Sequence, residues 1–263
     1  MEMENSYLGR DEAPVGSGIW KVLDGSMAEA AKSVMTGRRL LHIEGPFGLG
    51  LKAVPLQDSR AENGLFVSGL LPVSFIHKTF SLSKRDLAAS EREGMPINTS
   101  SVTSTAIEAA MQEESLIFQG VRGAPGLLTS KGASELKLSA WVEMGKAVED
   151  IVSAVTLLDK AGFHGPYALA LAPSRYNLLF RRYPQGGTEL EYVQAIVTEG
   201  VFKASILESG GVLIASGRQY AAIVLGQDMS VGFSGPVGES LEFTISESLA
   251  LLIREPKSIC VLK

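Results

Sequence analysis

An acidic residue at the end of an apolar segment is the first candidate for chemistry in this chain. Residues 221–233 read AAIVLGQDMSVGF, so Asp228 follows a strand-like run and a glycine, Gly226. A carboxylate in that place can serve as a general acid or base. It can also accept backbone N–H groups in a turn before the chain enters the next strand. These residues alone leave both roles open for Asp228.

The glycine-rich segments do not match the nucleotide-binding or hydrolase motifs. The segment GPFGLGLK, residues 45–52, resembles a phosphate-binding loop, which requires a lysine directly after its second glycine. Leu51 occupies that place, so we predict a turn instead. No G-x-G-x-x-G between a strand and a helix supports a dinucleotide fold, and no G-x-S-x-G supports a serine hydrolase.

The three histidines and the paired acidic residues do not form a catalytic pattern. His42, His77 and His164 are not spaced as metal ligands are. His42 and His77 alternate with apolar residues, which predicts that they lie on the polar face of a sheet. The acidic residues at 91–93 and 113–114 are predicted to be solvated helix faces. We therefore predict no catalytic residue and no metal site.

Two adjacent arginines stand beside a glycine-rich loop. The segment RRYPQGGTELE, residues 181–191, begins with Arg181 and Arg182. They could bind an anion or line an opening, or they could simply be an exposed helix end. Both interpretations remain open at this point.

Composition is typical of a folded soluble protein. The chain has 263 residues, of which 45% are hydrophobic and 20% charged, and no apolar run approaches the ~20 residues of a membrane span. A net charge of -5 does not favour binding to nucleic acid or to anionic lipid. The single cysteine, Cys260, cannot form an internal disulfide, and the polar start lacks the features of a secretory signal. We therefore expect a cytoplasmic protein with no membrane or nucleic-acid partner.

Hydrophobic periodicity predicts a mixed α+β protein without a βαβ repeat. Residues 1–18 are interpreted as a flexible lead-in, followed by a helix with one apolar stripe that Gly37 ends. Further helices are predicted at 102–119, 139–161, 173–182 and 189–198. Strands are predicted at 39–43, 51–56, 75–82 and 167–172 and through most of the last third of the chain. Residues 57–72 are interpreted as a polar arm.

Several segments match a known family when they are taken together and in order. They are GRRLLHIEGPFG from Gly37, KTFSLS from Lys78, FHGPYALALAPSRYNLL from Phe163, IVLGQDMSVGF from Ile223 and FTISESLALLIREPKSICVL from Phe243. Together they resemble the shell proteins called encapsulins, specifically their classical family 1. The resemblance covers nearly the whole chain, from Trp20 to the C-terminus.

The resemblance implies the α+β fold of tailed-phage major capsid proteins, with a peripheral domain, an axial domain and an extended loop. Residues 1–48 are then the N-terminal helix and the start of the peripheral domain, and 49–80 the extended loop. Residues 81–135 continue the peripheral domain, 136–225 are mainly axial, and 226–263 return to the peripheral domain. The stretch 57–72 is shorter than in well-known members.

The implied function is that of a self-assembling shell protein. About 60 identical copies close the smallest icosahedral lattice, and larger shells use more. Such a nanocompartment encloses a cargo enzyme, usually a ferritin-like iron-storage protein or a dye-decolorising peroxidase, recruited by a C-terminal targeting peptide. Its pores pass small molecules or ions. The alternatives are a phage major capsid protein, which packages DNA, and a soluble enzyme whose site is made of scattered residues.

Two functional surfaces follow from the resemblance. Cargo peptide docks between the N-terminal helix and the peripheral domain, here at Leu23, Met27, Ala30, Ala31, Val34, Arg38, Leu40 and Phe233; the alternative is that this stripe is ordinary core. A loop near the five-fold axis lines a pore, here through Arg181, Arg182, Tyr183, Pro184, Gln185, Gly186, Gly187, Thr188 and Glu189. Which charge faces the opening stays undecided.

The resemblance also bears on cofactors and on the acidic residue discussed first. Some family members bind a flavin through an aromatic residue after the FSL strand, and Arg85 occupies the matching position here. We therefore predict no cofactor. Within this family's pattern, Asp228 is best explained as a turn residue beside Gly226.

Overall fold

The computed structural model describes residues 7–263, which fall into two compact units. The first unit comprises the chain up to Met35 together with Gly45–Glu113 and Val224–Ala250. The second comprises Thr36–Glu44, Glu114–Ile223 and Leu251–Lys263. Each unit is thus assembled from segments that are far apart in sequence.

The helices carry their apolar residues on one face, as the spacing of those residues requires. The first helix buries a stripe at intervals of three and four residues, and its next turn is replaced by a separate short helix. The helices are α1 (Ser17–Val34), α2 (Gly37–Leu40), α3 (Lys84–Glu93), α4 (Ser100–Phe118), α5 (Lys146–Lys160), α6 (Pro173–Leu178) and α7 (Glu189–Ile196).

The strands are spread along the chain from residue 42 onward, and the longest of them is β13. They are β1 (His42–Glu44), β2 (Ala53–Arg60), β3 (Phe66–Pro72), β4 (Ser74–Ser83), β5 (Gly120–Val121), β6 (Ala124–Pro125), β7 (Ser134–Leu136), β8 (Tyr167–Leu171), β9 (Gly200–Lys203), β10 (Gly211–Ala215), β11 (Ala221–Leu225), β12 (Ser230–Val237), β13 (Ser240–Ile253) and β14 (Ile259–Leu262).

The sheet of the first unit is organised around β13, which pairs with β12 and with β4. Antiparallel registers place Phe243 of β13 opposite Phe80 of β4 and opposite Phe233 of β12. Phe243 is fully buried, and the ring of Trp20 from α1 meets it edge-on at 5.8 Å. The helix is thereby fixed against the sheet by aromatic packing.

The second unit has its own sheet, in the order β7-β14-β10-β8-β9. Strands β8, β10 and β14 are buried along their whole length, so their near-continuous apolar runs fit a sheet that is covered on both faces. Helix α5 contributes to the same core, which includes Ile151, Ala154, Leu158, Leu169, Leu171, Leu213 and Cys260.

Strands β2 and β3 pair only with each other, as an antiparallel hairpin. Its register runs from Ala53 opposite Pro72 to Arg60 opposite Phe66, with a bulge between Pro55 and Asp58. Large apolar side chains stay exposed on it: Phe66 is 69% and Leu70 64% exposed. An isolated two-stranded hairpin is marginal in water and leaves strand edges unpaired.

Two local predictions from the sequence are wrong in this region. Residues 57–72, interpreted as a polar arm, largely belong to the hairpin of β2 and β3, and several of its exposed side chains are apolar. Residues 39–43 are not one strand, because the chain first forms α2 and only then enters β1. The predicted strands at 75–82 and 167–172 are confirmed as β4 and β8, and the helix at 102–119 is confirmed as α4.

The acidic pair at the end of α4 is buried and not solvated as predicted. Glu113 and Glu114 are both fully buried. Oε1 of Glu114 accepts hydrogen bonds from the amides of Thr36 at 2.8 Å and Gly37 at 2.7 Å, so it satisfies donors at the start of α2. Gly37 is required there, since an added Cβ would lie 2.6 Å from Cδ1 of Ile117.

The helix predicted at 139–161 is shorter than expected and begins at Lys146. The preceding segment is held differently: Oδ2 of Asp150 accepts hydrogen bonds from the amide of Ser139 at 2.7 Å and from the indole of Trp141 at 2.7 Å. Within this helix Val152 is exposed, whereas Leu158 is buried.

The acceptor role of Glu114 predicts a stability effect. Glu114→Ala leaves two buried amides of the Thr36–Gly37 turn without an acceptor and should lower the free energy of unfolding by about 3 kcal/mol. Glu108→Ala, on the exposed face of the same helix, is the matched control and should change it by about 0.5 kcal/mol or less. The midpoint of thermal unfolding measures both. Equal midpoints for the two variants would contradict the role assigned to Glu114.

Candidate functional site

The N-terminal segment ties α1 to β12. Both guanidinium ends of Arg10 donate to Asp24 of α1, at 2.9 and 2.6 Å, and its Nε donates to the carbonyl of Val231 at 2.8 Å. The same guanidinium lies 4.6 Å from the ring centre of Trp20. These contacts correct the interpretation of residues 1–18 as a flexible lead-in for the part from residue 7 onward; residues 1–6 lie outside the described residues.

The docking residues predicted on α1 line the inner face of that helix. Leu23, Met27, Ala30 and Ala31 are buried in the first unit, with Leu23 fully so. Val34 is only partly buried and packs against the small cluster of Ala31, Met35 and Ala110. The surface of α1 that remains accessible along this stripe is therefore at its C-terminal end.

Phe233, predicted as a second wall, is partly buried in β12 and packs edge-on against Phe243 at a ring distance of 5.6 Å. Its amide donates to the carbonyl of Leu8 at 2.8 Å, so the N-terminal segment runs alongside it. Arg38 and Leu40 belong to the second unit, where Leu40 is buried in α2 and Arg38 is partly buried.

The predicted pore loop is held in shape by a buried ion pair. Glu189 is fully buried, and its Oε2 accepts hydrogen bonds from Nε of Arg181 at 3.0 Å and from Nη2 at 2.6 Å. Nη1 of Arg181 donates to the carbonyls of Trp141 and Val142, and the amide of Gly145 donates to Oε1 of Glu189. Arg181 and Glu189 therefore neutralise each other inside the second unit.

The rest of the loop forms a tight turn whose tip is exposed. Arg182 and Thr188 face each other in an antiparallel bridge, and the amide of Tyr183 donates to the carbonyl of Gly187 at 3.0 Å. Tyr183 packs edge-on against Tyr192, and burial raises the pKa of its phenol. Between the two ends, Pro184, Gln185 and Gly186 are exposed. The exposed charges flanking this turn are those of Arg182 and Glu191.

The residues first considered for chemistry have structural roles. Oδ1 of Asp228 accepts the amide of Met229 at 2.8 Å, which confirms the prediction of a turn residue. His42 and His77 are exposed in strands, as predicted. His164 lies 3.1 Å from Asp159, and the hydroxyl of Tyr167 donates to the same carboxylate and lowers the pKa of Asp159.

The remaining groups do not form a metal-binding site in the part of the chain that the structure describes. Within residues 7–263, His, Cys, Asp and Glu side chains do not meet in groups of three or more as a metal ion requires. Burial raises the pKa of Cys260 to about 11, so its thiol stays protonated at neutral pH. In the described part of the chain, none of the helices has the length and apolarity to cross a bilayer.

Sequence reasoning missed the residues that position these surfaces. Arg10, Trp20 and Phe243 meet only in the folded chain: the bond from Arg10 to Val231 joins residues 221 positions apart. Nothing in the polar, glycine-rich sequence around Arg10 indicates that its side chain makes such a contact. The pairing of Arg181 with Glu189 was similarly hidden, because both residues were treated as exposed loop charges.

Comparison with known proteins places the chain in a family. A family model described as "Encapsulating protein for peroxidase" matches residues 4–250. The type 1 encapsulin shell protein EncA of Myxococcus xanthus is 30% identical, over 98% of this chain and 96% of the relative. A diheme-cytochrome-encapsulin shell fusion protein of Kuenenia stuttgartiensis is also 30% identical, over 93% of this chain and 72% of the relative.

Solved structures share the fold at low identity. A virus-like particle protein from Pyrococcus furiosus superposes with a TM-score of 0.76 at 22% identity, over 93% of this chain and 99% of that chain. The capsid protein of Myoviridae phage XM1 superposes with a TM-score of 0.58 at 13% identity, over 84% of this chain and 88% of that chain. The fold is therefore the α+β fold of tailed-phage capsid proteins.

The chain belongs to the encapsulin family. Its role is accordingly that of a shell protein and not that of an enzyme, as the resemblance of its sequence motifs implied.

The buried ion pair predicts a contrast between two adjacent arginines. Arg181→Ala leaves the carboxylate of Glu189 buried without its guanidinium and should lower the free energy of unfolding by about 3–5 kcal/mol. Arg182→Ala removes an exposed charge and should lower it by about 0.5 kcal/mol or less. Thermal unfolding of both variants and of the parent protein measures the difference. A destabilisation as large for Arg182→Ala would contradict the assignment of the pair.

Proposed function

We propose that this chain closes into an icosahedral shell of about 60 copies in the cytoplasm and encloses a cargo protein that binds its inner face through a C-terminal peptide. The observation that carries the assembly step is the hairpin of β2 and β3, whose apolar side chains remain exposed in the single chain. Apolar surface of this extent is typical of a surface that another copy covers.

The two units correspond to the domains implied by the resemblance. We assign the first unit to the peripheral domain, the hairpin within 49–80 to the extended loop, and the second unit to the axial domain. Residues 114–135 and 251–263 cluster with the second unit, although the sequence motifs had suggested a peripheral position for them. The pairing of β12 and β4 with β13 supports the peripheral assignment of the first unit.

The hairpin supplies the contact between copies. Phe66 and Leu70 lie on β3, where burial against a neighbouring copy removes apolar area from water, at roughly 25 cal/mol per Å². The unpaired edges of β2 and β3 can also extend hydrogen bonding to the neighbour. Both effects favour assembly over the free chain.

Assembly should therefore depend on the apolar hairpin residues. Phe66→Asp combined with Leu70→Asp should prevent shell formation and yield small oligomers or monomers, because two charges would be buried at each contact. Gln57→Asp, an equally exposed position on β2, is the matched control and should still assemble. Light scattering and negative-stain electron microscopy of untagged, cargo-free protein give the readout. Full-sized shells from the double variant would rule out the hairpin as an essential contact.

Cargo docking is assigned to the accessible edge between α1 and β12. Leu23 is fully buried beneath this edge and Met27, Ala30 and Ala31 are nearly so, and Val34 and Phe233 supply its partly exposed apolar contacts. An extended peptide with small apolar anchors suits such an edge. Each peptide needs to bind only weakly, because an oligomeric cargo presents several peptides to many sites.

Docking is tested best at the partly exposed position of the stripe. A charge at Met27 would disturb the core, whereas Val34→Asp adds a charge at the partly exposed end of the stripe. This variant should still form shells. It should no longer co-purify with a cargo that bears the targeting peptide. Val22→Asp lies in the same helix at a position that is 41% exposed outside the stripe, and it should retain the cargo. If Val34→Asp shells load cargo as the parent does, docking at this edge is disproved while the shell itself stands.

The loop that begins at Arg181 is assigned to a pore at the five-fold axis. Five copies of a loop with an exposed polar tip would form a ring in which Arg182 and Glu191 carry the accessible charges. The pair of Arg181 and Glu189 is internal and sets the shape of the loop.

The cargo is assigned by the description of the matched family and by the resemblance. A dye-decolorising peroxidase agrees with the family's description as encapsulating a peroxidase, and a ferritin-like iron-storage protein is the second candidate.

A phage capsid role is the alternative function, since the capsid protein of phage XM1 shares the fold. The 30% identity to an encapsulin shell protein over 98% of this chain favours the nanocompartment.

A further inference from the structure

A cavity of about 350 Å³ lies within the second unit and is not explained by the shell function. Its wall is formed by the α2–β1 connection, by Pro166 before β8, by Glu199 before β9 and by the turn after β10. Arg39, His42 and Arg218 bring basic side chains to it, and Glu199 is the acidic residue in the lining. The volume is in the range of sites that hold small molecules.

The two arginines are placed so that their N–H groups can bind a ligand. The guanidinium carbon of Arg39 lies 4.3 Å from the ring centre of Phe202, a stacking that leaves the edge N–H groups available. Nε of Arg218 is 3.8 Å from Oε1 of Glu44, which is longer than a hydrogen bond, and its side chain is 71% exposed.

A neighbouring ion pair fixes the turn that carries Arg218. Nη2 of Arg254 donates to both carboxylate oxygens of Glu44 at 3.0 Å, and Nη1 of the same residue donates to the carbonyl of Arg218 at 2.6 Å. Because Arg254 already compensates the charge of Glu44, Arg218 is not needed for that purpose. Its backbone is nonetheless held in place, which lowers the entropy lost when a ligand binds.

A buried hydroxyl in the same wall provides an independent indication of a ligand. Oγ of Ser216 is buried and has no hydrogen-bond partner among residues 7–263, while the amide of Ser216 donates to the carbonyl of Pro166 at 2.7 Å. A buried hydroxyl without a partner costs about 1–3 kcal/mol, so a polar ligand atom that reaches Oγ after a small shift of this wall would be stabilising.

We propose that this cavity binds a small molecule that carries a phosphate group. Planar guanidinium groups bind phosphate oxygens with two N–H groups each, and the hydroxyl of Ser216 can donate to a third oxygen. The carboxylate of Glu199 disfavours a second anionic group on the ligand and can accept a hydrogen bond from a ligand hydroxyl. The cavity is larger than a bare phosphate, and its volume fits a sugar phosphate. The site does not include the hairpin, the α1 docking residues or the pore loop, although Leu40, predicted from the sequence as a docking residue, also lines it.

Equilibrium dialysis of assembled, cargo-free shells against radiolabelled inorganic phosphate tests the proposal. We expect saturable binding of one phosphate per chain, competed by glucose 6-phosphate at lower concentration than by inorganic phosphate and not competed by glucose. Arg39→Gln and Arg218→Gln should each raise the dissociation constant by about tenfold or more, and Ser216→Ala by severalfold. Arg122→Gln, an exposed arginine in the turn between β5 and β6, is the matched control and should bind as the parent does.

The variants must first be shown to form shells by negative-stain microscopy, so that loss of binding is not loss of structure. Absence of saturable phosphate binding to parent shells would overturn the proposal, as would unchanged binding by the Arg39→Gln, Arg218→Gln double variant. Arginine variants that weaken shell formation without changing phosphate binding would also overturn it, because an acidic side chain of a second copy would then be the partner of these arginines.

Discussion

Phe243 is the side chain on which the arrangement of the first unit depends. It lies on β13 between Phe80 and Phe233, and the edge of Trp20 closes the cluster from α1. A strand register that slips by one residue would turn every one of these rings to the other face of the sheet, so the cluster specifies the pairing of three strands at once. The position of α1, and with it the edge assigned to cargo, follows from a contact that is entirely apolar.

Polar groups take the corresponding role in the second unit, where irregular segments must be held without a continuous strand or helix. Glu114 accepts hydrogen bonds from the amides at the start of α2. Asp150 accepts the amide of Ser139 in the segment before α5. Glu189 accepts the amide of Gly145, which links the loop after Arg181 to that segment. Each of these carboxylates is bound by amides or by a guanidinium, which is the condition for keeping such a group at low solvent exposure. The loops thereby gain a defined shape before any partner binds.

The elements that were predicted correctly are those whose signal is local. Periodicity identified α1 and α4, and continuous apolar runs identified β8 and β11, because these segments are buried by their own patterns. The hairpin in 57–72 was missed since its apolar residues remain exposed and are mixed with polar ones. The burial of Glu114 was missed for a different reason: its partners, Thr36 and Gly37, lie more than seventy positions away along the chain. The family motifs indicated which segments form the candidate surfaces. Only the folded structure shows which side chains in those segments are exposed and which are buried.

The three proposed surfaces differ in how many apolar side chains they expose, and this difference matches how long each contact must last. The hairpin exposes large apolar side chains and unpaired strand edges, so it gains most from permanent burial and suits the contact between copies. The edge of α1 and β12 keeps most of its apolar residues buried and offers only Val34 and Phe233, which limits the affinity of a single peptide and makes repeated peptides necessary. The loop tip at Pro184–Gly186 is polar and glycine-rich and loses little by staying in water, as a pore lining must. In this proposal, one chain can assemble firmly, hold cargo reversibly and remain open to solutes, because these requirements fall on separate segments.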